Sequence, residues 1–198
     1  MKQTLNRRRF LQMGAIGTGS LLLLPRCVAS SGMSPWRFFS PEEAKLLDSL
    51  VEQIIPTDEW PGAKDAGVTN YIDKQLVGPL SRHQDKYRKG LAAVVESCKK
   101  LYQKQFEELS WDEQTDFLKK MESGKLPGLL KGEKKGDVQQ EPELWNDGFD
   151  RQFFGLLRDH SMQGFYGSPR HGGNKDYVSY RMVGLDYPFT IGQNRYKS

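Results

Sequence analysis

The stretch Tyr87-Arg-Lys-Gly-Leu91-Ala-Ala-Val-Val95-Glu-Ser-Cys98-Lys-Lys-Leu101-Tyr102 decides the fold. Tyr87, Leu91, Val94, Val95, Cys98, Leu101 and Tyr102 recur at intervals of three and four residues, which gathers them on one face of a helix. Lys86, Lys89, Glu96, Lys99 and Lys100 take the other faces. The spacing predicts a helix from about Arg82 to Phe106 with one apolar side turned to a core.

The same period runs outward in both directions. Ser40-Pro41-Glu42-Glu43 is a helix start: Ser40 caps, Pro41 suits the first turn, and Glu43 completes a capping box. Leu46, Leu47, Leu50, Val51, Ile54 and Ile55 follow at helical spacing until Pro56 stops them. Val68, Tyr71, Ile72 and Leu76 make a second apolar face before Gly78-Pro79. Ser110-Trp111-Asp112-Glu113 is another capping box, ahead of Phe117, Leu118 and Met121. The pattern resumes near Glu143 with Leu144, Phe149, Phe153, Leu156 and Leu157, and is expected to end around Ser161. No segment alternates with period two, so the expected fold is mainly α. It comprises a single helical domain over 31–198, a long polar linker from Ser123 to Pro142, and an irregular C-terminal segment rich in Gly and aromatics. Gly124, Gly128, Gly132 and Gly136 punctuate that linker, but no strand precedes them and no Lys-Ser/Thr pair ends them, so they read as a solvated loop rather than a phosphate cradle.

Composition narrows the function. The 198 residues carry 29 basic and 25 acidic side chains, a formal net charge of +4. Lys2, Arg7, Arg8, Arg9 and Arg26 account for all the surplus; removing these five leaves 24 basic groups against 25 acidic ones, a body at −1. A basic nucleic-acid surface loses its main support. Two cysteines make no disulfide framework. The chain has no CxxCH, GxGxxG, Walker loop or HExxH, and its three histidines lie far apart.

Residues 1–30 read as an address. Asn6-Arg7-Arg8-Arg9-Phe10-Leu11 places two arginines, one spacer and two apolar residues in a twin-arginine export pattern carried by Arg7, Arg8, Phe10 and Leu11. The apolar run from Met13 to Leu24 is shorter than the roughly 20 residues a spanning helix needs. Val28-Ala29-Ser30 supplies small residues for cleavage. A short basic anchor and a lipidated Cys27 are the alternatives. The twin-arginine route carries folded cargo, so the protein is expected in the periplasm, either loaded in the cytoplasm or travelling with a loaded partner.

A family resemblance rests on the C-terminal half. Asp150-Arg-Gln-Phe-Phe-Gly-Leu-Leu-Arg-Asp-His160 leads into Gly164-Phe-Tyr-Gly-Ser-Pro-Arg-His-Gly-Gly-Asn174 and Tyr180-Arg-Met-Val-Gly184. With Ile55-Pro56-Thr57-Asp58, Pro61-Gly62-Ala63 and Ala66-Gly67-Val68 upstream, the chain from about Phe39 to Tyr187 resembles the gluconate 2-dehydrogenase subunit 3 family. Tyr180 departs from it, since the family usually has Trp there, and the lysine-rich 131–140 stretch has no counterpart.

The resemblance implies a non-catalytic accessory subunit with no cofactor of its own. A large FAD-dependent subunit of the complex oxidises the sugar or sugar acid, and a membrane-bound multihaem cytochrome c takes the electrons. The small chain aids maturation of the flavoprotein and lends it the signal read by the Tat translocase. Membrane association then comes through the complex.

Several residues carry competing expectations. Phe165, Tyr166, Pro169, Tyr177 and Tyr180, around Gly172-Gly173-Asn174, form either a partner interface or packing for the chain's own helices. The Gly-Gly-Asn element suits a loop with positive φ better than a phosphate site. Cys98 is expected as a buried thiol, with an interchain disulfide as the sharper option. His160 is expected as a hydrogen-bonded core residue rather than a haem ligand. Glu141, Glu143, Asp147 and Asp150 lack calcium-loop spacing and read as a solvated helix start. A stand-alone periplasmic small-ligand-binding module is the alternative function, and an enzyme using His171 or His160 is a third.

Overall fold

The computed structural model describes residues 35–126 and 144–185, all within one compact unit that begins at Ser34. The described residues form six α-helices: α1 (Pro41–Ile54), α2 (Val68–Leu76), α3 (Gln84–Tyr102), α4 (Trp111–Ser123), α5 (Phe149–Tyr166) and α6 (Val178–Met182). No strand occurs among the described residues, and no helix there is long and apolar enough to cross a membrane. Residues 1–34, including Arg7, Arg8, Phe10, Leu11 and Cys27, lie outside the described residues, as does most of the polar linker.

The two capping boxes form as the residues dictate. Ser40 Oγ accepts from Glu43 N at 3.2 Å, and Glu43 Oε2 accepts from Ser40 N at 2.8 Å. Ser110 and Glu113 repeat the exchange at 3.3 and 2.8 Å and start α4. α1 buries Ala44, Leu46, Leu47, Leu50 and Val51, and α4 buries Phe117, Leu118 and Met121. Between α1 and α2 the chain turns around the Glu52 carboxylate, which accepts from Thr57 N, Thr57 Oγ1 and Lys64 N. A Cβ on Gly62 would lie 2.5 Å from Thr57 N, so this turn admits only glycine.

α3 is shorter than the 82–106 helix its periodicity predicts. A 3-10 turn precedes it at Ser81–His83, and Gln103 stops it in the left-handed region at φ 55°. Its buried face holds Tyr87, Gly90, Leu91, Ala93, Val94, Ser97 and Cys98. Val95 and Leu101, expected on that face, are 46% and 39% exposed. Each residue advances about 100°, which puts Val95 at one edge of the buried face, while Leu101 keeps its register but lies in the last turn of the helix. Gly90 lies where α3 packs on α5; a Cβ there would lie 2.4 Å from the Phe153 ring.

α5 is the central helix, packed most extensively on α2 and α4 and also on α1 and α3. It runs on to Tyr166, past the expected end at Ser161. Within the added turn, Gly164 lets the helix pass the Tyr71 ring, which a Cβ would approach at 2.9 Å. Asp150 at its start is not solvated as expected. It is 2% exposed and accepts from Leu126 N at 3.3 Å and Arg151 N at 2.8 Å. Asp147 is exposed, at φ 53°, while Glu141 and Glu143 lie outside the described residues.

One buried charge organises the entry of the chain. Asp73 on α2 is 1% exposed, and its carboxylate accepts from Arg37 N at 2.8 Å, Phe38 N at 2.9 Å and Phe39 N at 3.1 Å. A buried carboxylate is tolerable only when its oxygens are filled in this way. The clamp sets Phe39 edge-on to Tyr87, with ring centroids 5.8 Å apart. It also places Phe38 under the Arg88 guanidinium, 4.1 Å from the ring centroid. Asp73→Ala strands three backbone donors, and we expect it to cost about 3 kcal/mol. That is a drop of about 10 °C in Tm for a domain of this size, read by thermal melting, with Asp73→Asn falling between the two.

Candidate functional site

The candidate site is the stretch after α5, which lies against α2. Two 3-10 turns, Pro169–His171 and Lys175–Tyr177, lead into α6. The segment is a set of tight turns with its own hydrogen bonds. Its pivot is Asn174, fully buried at φ 46°. Asn174 Nδ2 donates to Gly167 O at 2.8 Å and its Oδ1 accepts from Ser179 N at 3.0 Å, joining the end of α5 to the start of α6. Its carbonyl accepts from Tyr177 N at 2.9 Å.

Two bonds tie these turns to α2 and the loop before it. Lys175 N donates to Ala66 O at 2.9 Å, and Asn70 Nδ2 donates to Gly172 O at 2.6 Å. Further along, Tyr71 OH meets Gln163 Oε1 at 3.2 Å. Gly172, at φ 105°, sits where a Cβ would meet Lys74 Cδ at 2.8 Å. Gly173 has a different reason to be glycine. Its φ is unremarkable for an L residue, but a Cβ would lie 2.2 Å from the Gly164 carbonyl oxygen.

These contacts divide the residues expected at a partner interface. Phe165 is 1% exposed and packs in the core, and Gly173 and Asn174 are buried. All three belong to the chain's own fold, and none can reach a partner. Tyr166 is 42% exposed, while Pro169, Gly172, Tyr177 and Tyr180 are half-buried. The Tyr177 and Tyr180 ring centroids are 5.9 Å apart. Arg170, His171 and Lys175 are exposed along the same turns.

Cys98 and His160 belong to the interior. The Cys98 thiol is fully buried and free, and burial pushes its pKa up to about 12, which favours the buried-thiol reading over an interchain disulfide. His160 is 4% exposed and pairs through Nδ1 with Tyr87 OH at 3.0 Å, its ring stacked on Tyr87. Burial pushes its pKa down to about 4, with the neighbouring His83 acting in the same direction. The imidazole is therefore neutral at pH 7. Among the described residues, no three His, Cys, Asp or Glu side chains gather in a way that could hold a metal ion.

Asp73 and Lys74 are the residues that sequence reasoning passed over. The signal was there. Thr69, Ile72, Asp73 and Leu76 share one helical face, and an acid at a buried register position has to be satisfied by something.

The class that emerges is a small helical protein whose C-terminal turns are fastened to its core while their outer side chains face solvent. The match to known families then gives the particular group. The model of gluconate 2-dehydrogenase subunit 3 matches residues 41–186, and the chain belongs to that family. No curated protein and no solved structure matches it.

Gly173→Val tests whether the C-terminal turns belong to the fold. The backbone approach at Gly164 leaves no room to relax, and we expect Tm to fall by about 5–10 °C in the isolated chain. Lys175→Ala, which removes only an exposed side chain, should leave the melt unchanged.

Proposed function

We propose that this chain is the non-catalytic accessory subunit of a periplasmic flavin-dependent dehydrogenase complex of the gluconate or glucose type. In this reading it assists maturation of the catalytic flavoprotein and carries it through the twin-arginine pathway on its own leader. FAD resides in the large subunit. Haem c resides in a third, membrane-bound subunit, through which the complex is associated with the membrane.

The observation that carries this is the family match over residues 41–186, whose description is that of one subunit of a multi-subunit dehydrogenase. The side chains support it. His160 and Cys98, first choices for chemistry by residue type, are committed to the core. Asn174 directs both ends of its amide to its own backbone, which favours a structural role for the Gly-Gly-Asn loop over a stand-alone ligand-binding one. The leader supplies the rest: Arg7 and Arg8 with Phe10 and Leu11 fit a receptor-read signal, and folded-cargo export suits a partner that must acquire its flavin before crossing.

Replacing Arg7 and Arg8 together with Lys keeps the charge and removes the guanidinium pair. We expect both this chain and the flavoprotein to stay in the cytoplasm, measured as dehydrogenase activity and antigen in the periplasmic fraction. Normal periplasmic activity in the double variant would end the case for signal donation.

A further inference from the structure

We propose that the basic face built from Lys74, Arg170, His171 and Lys175 receives a carboxylate-bearing segment of the flavin-carrying subunit, with Tyr166 beside it. The inference rests on the accessory-subunit reading above and adds where the partner docks and what chemistry it presents.

The four side chains come from two elements that the fold brings together. Asn70 and Lys74, one turn apart on α2, flank Gly172: Asn70 Nδ2 holds its carbonyl at 2.6 Å, and a Cβ on it would meet Lys74 Nζ at 3.1 Å. Arg170, His171 and Lys175 lie within three residues of Gly172 and are exposed. Arg170 Nε donates to His171 Nε2 at 3.1 Å, which ties the two side chains together.

The acids nearby do not cancel the charge. Asp73 is turned into the core with its oxygens filled by three backbone N–H groups. Asp176 is the exposed acid of the turn itself, set against Lys74, Arg170 and Lys175. The rim thus keeps a positive surplus of two on a body whose sum is −1. A local surplus on a body of opposite net sign is the arrangement that selects an acidic partner.

The backbone beneath is held in costly conformations. Of the five described non-Gly residues at positive φ, three are in this loop: Asn174 at 46°, Asp176 at 55° and Tyr177 at 57°. Such residues persist only where the surroundings over-determine them, and here the Asn174 bonds do so. A loop already ordered loses little freedom on binding. Tyr166, 42% exposed, adds the kind of aromatic anchor that interface centres favour.

The test uses the full chain, tagged and co-expressed with its flavoprotein, and a zero-length carbodiimide that joins lysine amines to carboxylates in contact. Peptide mass spectrometry should find Lys74 or Lys175 coupled to Asp or Glu of the flavin-bearing chain. Arg170→Glu with Lys175→Glu should weaken the complex about tenfold or more and flatten its salt dependence, with an unchanged melt of the small chain. Lys119→Glu on α4 should change neither. Cross-links to the flavoprotein that start only from other lysines, or full affinity in the double variant, would overturn the docking surface while leaving the accessory role intact. Binding to anionic phospholipid vesicles that depends on Arg170 and Lys175, with flavoprotein affinity untouched, would overturn it in favour of a membrane surface. Failure of the wild-type chain to bring down any flavin-absorbing chain would remove the accessory reading and this surface together.

Discussion

The Asp73 carboxylate is the constraint on which the arrangement rests. It lies on the buried face of α2, and three consecutive backbone N–H groups of residues 37–39 close on it. Without those donors a charge at that depth would be untenable; without the carboxylate, the chain ahead of α1 would lose the three bonds that set its backbone. Because it is fixed, Phe39 reaches the Tyr87 ring and Arg88 stacks on Phe38 while pairing with Glu43. α2 is thereby held from one side by the incoming chain and from the other by α5 and the C-terminal turns.

This double hold on α2 links fold to function. Its buried side serves stability through Val68, Ile72, Asp73 and Leu76. Its other side offers Asn70 and Lys74 to the Gly172 turn. The turns that carry the family's Gly-Gly-Asn element are thus an extension of the core, fastened through Asn174. In the proposed complex a partner meets their outer rim, and the aromatic at position 165 serves the interior.

The sequence was most legible where a local rule acts alone. Both capping boxes, the stop at Pro56 and the faces of α1, α2 and α4 follow from spacing and cap chemistry, because those signals are complete within four to eight residues. Legibility failed where tertiary contact overrides the local rule. The helix expected to end around Ser161 runs on through Gly164, which is required by Tyr71, 93 positions earlier in the chain. Gly173 reads as a positive-φ residue, but its requirement is the Gly164 carbonyl. Asp150 reads as a solvated acid and Asp73 as an ordinary one; only the fold shows the distant backbone donors that each one satisfies. The expected export signal and most of the expected polar linker are readings of composition that fall outside the described residues.

Hydrogen–deuterium exchange on the isolated chain and on its complex with the flavoprotein tests the central claim, that the C-terminal turns are part of the core and dock by their rim. The amides of Lys175, Tyr177 and Ser179, bonded to Ala66, Asn174 and the Asn174 side chain, should exchange slowly in the chain alone. Complex formation should then add protection around residues 166–172 and Lys74 without changing those three. Rapid exchange of Lys175, Tyr177 and Ser179 in the free chain, slowed only by the partner, would contradict the account and make the segment a tail that folds on binding.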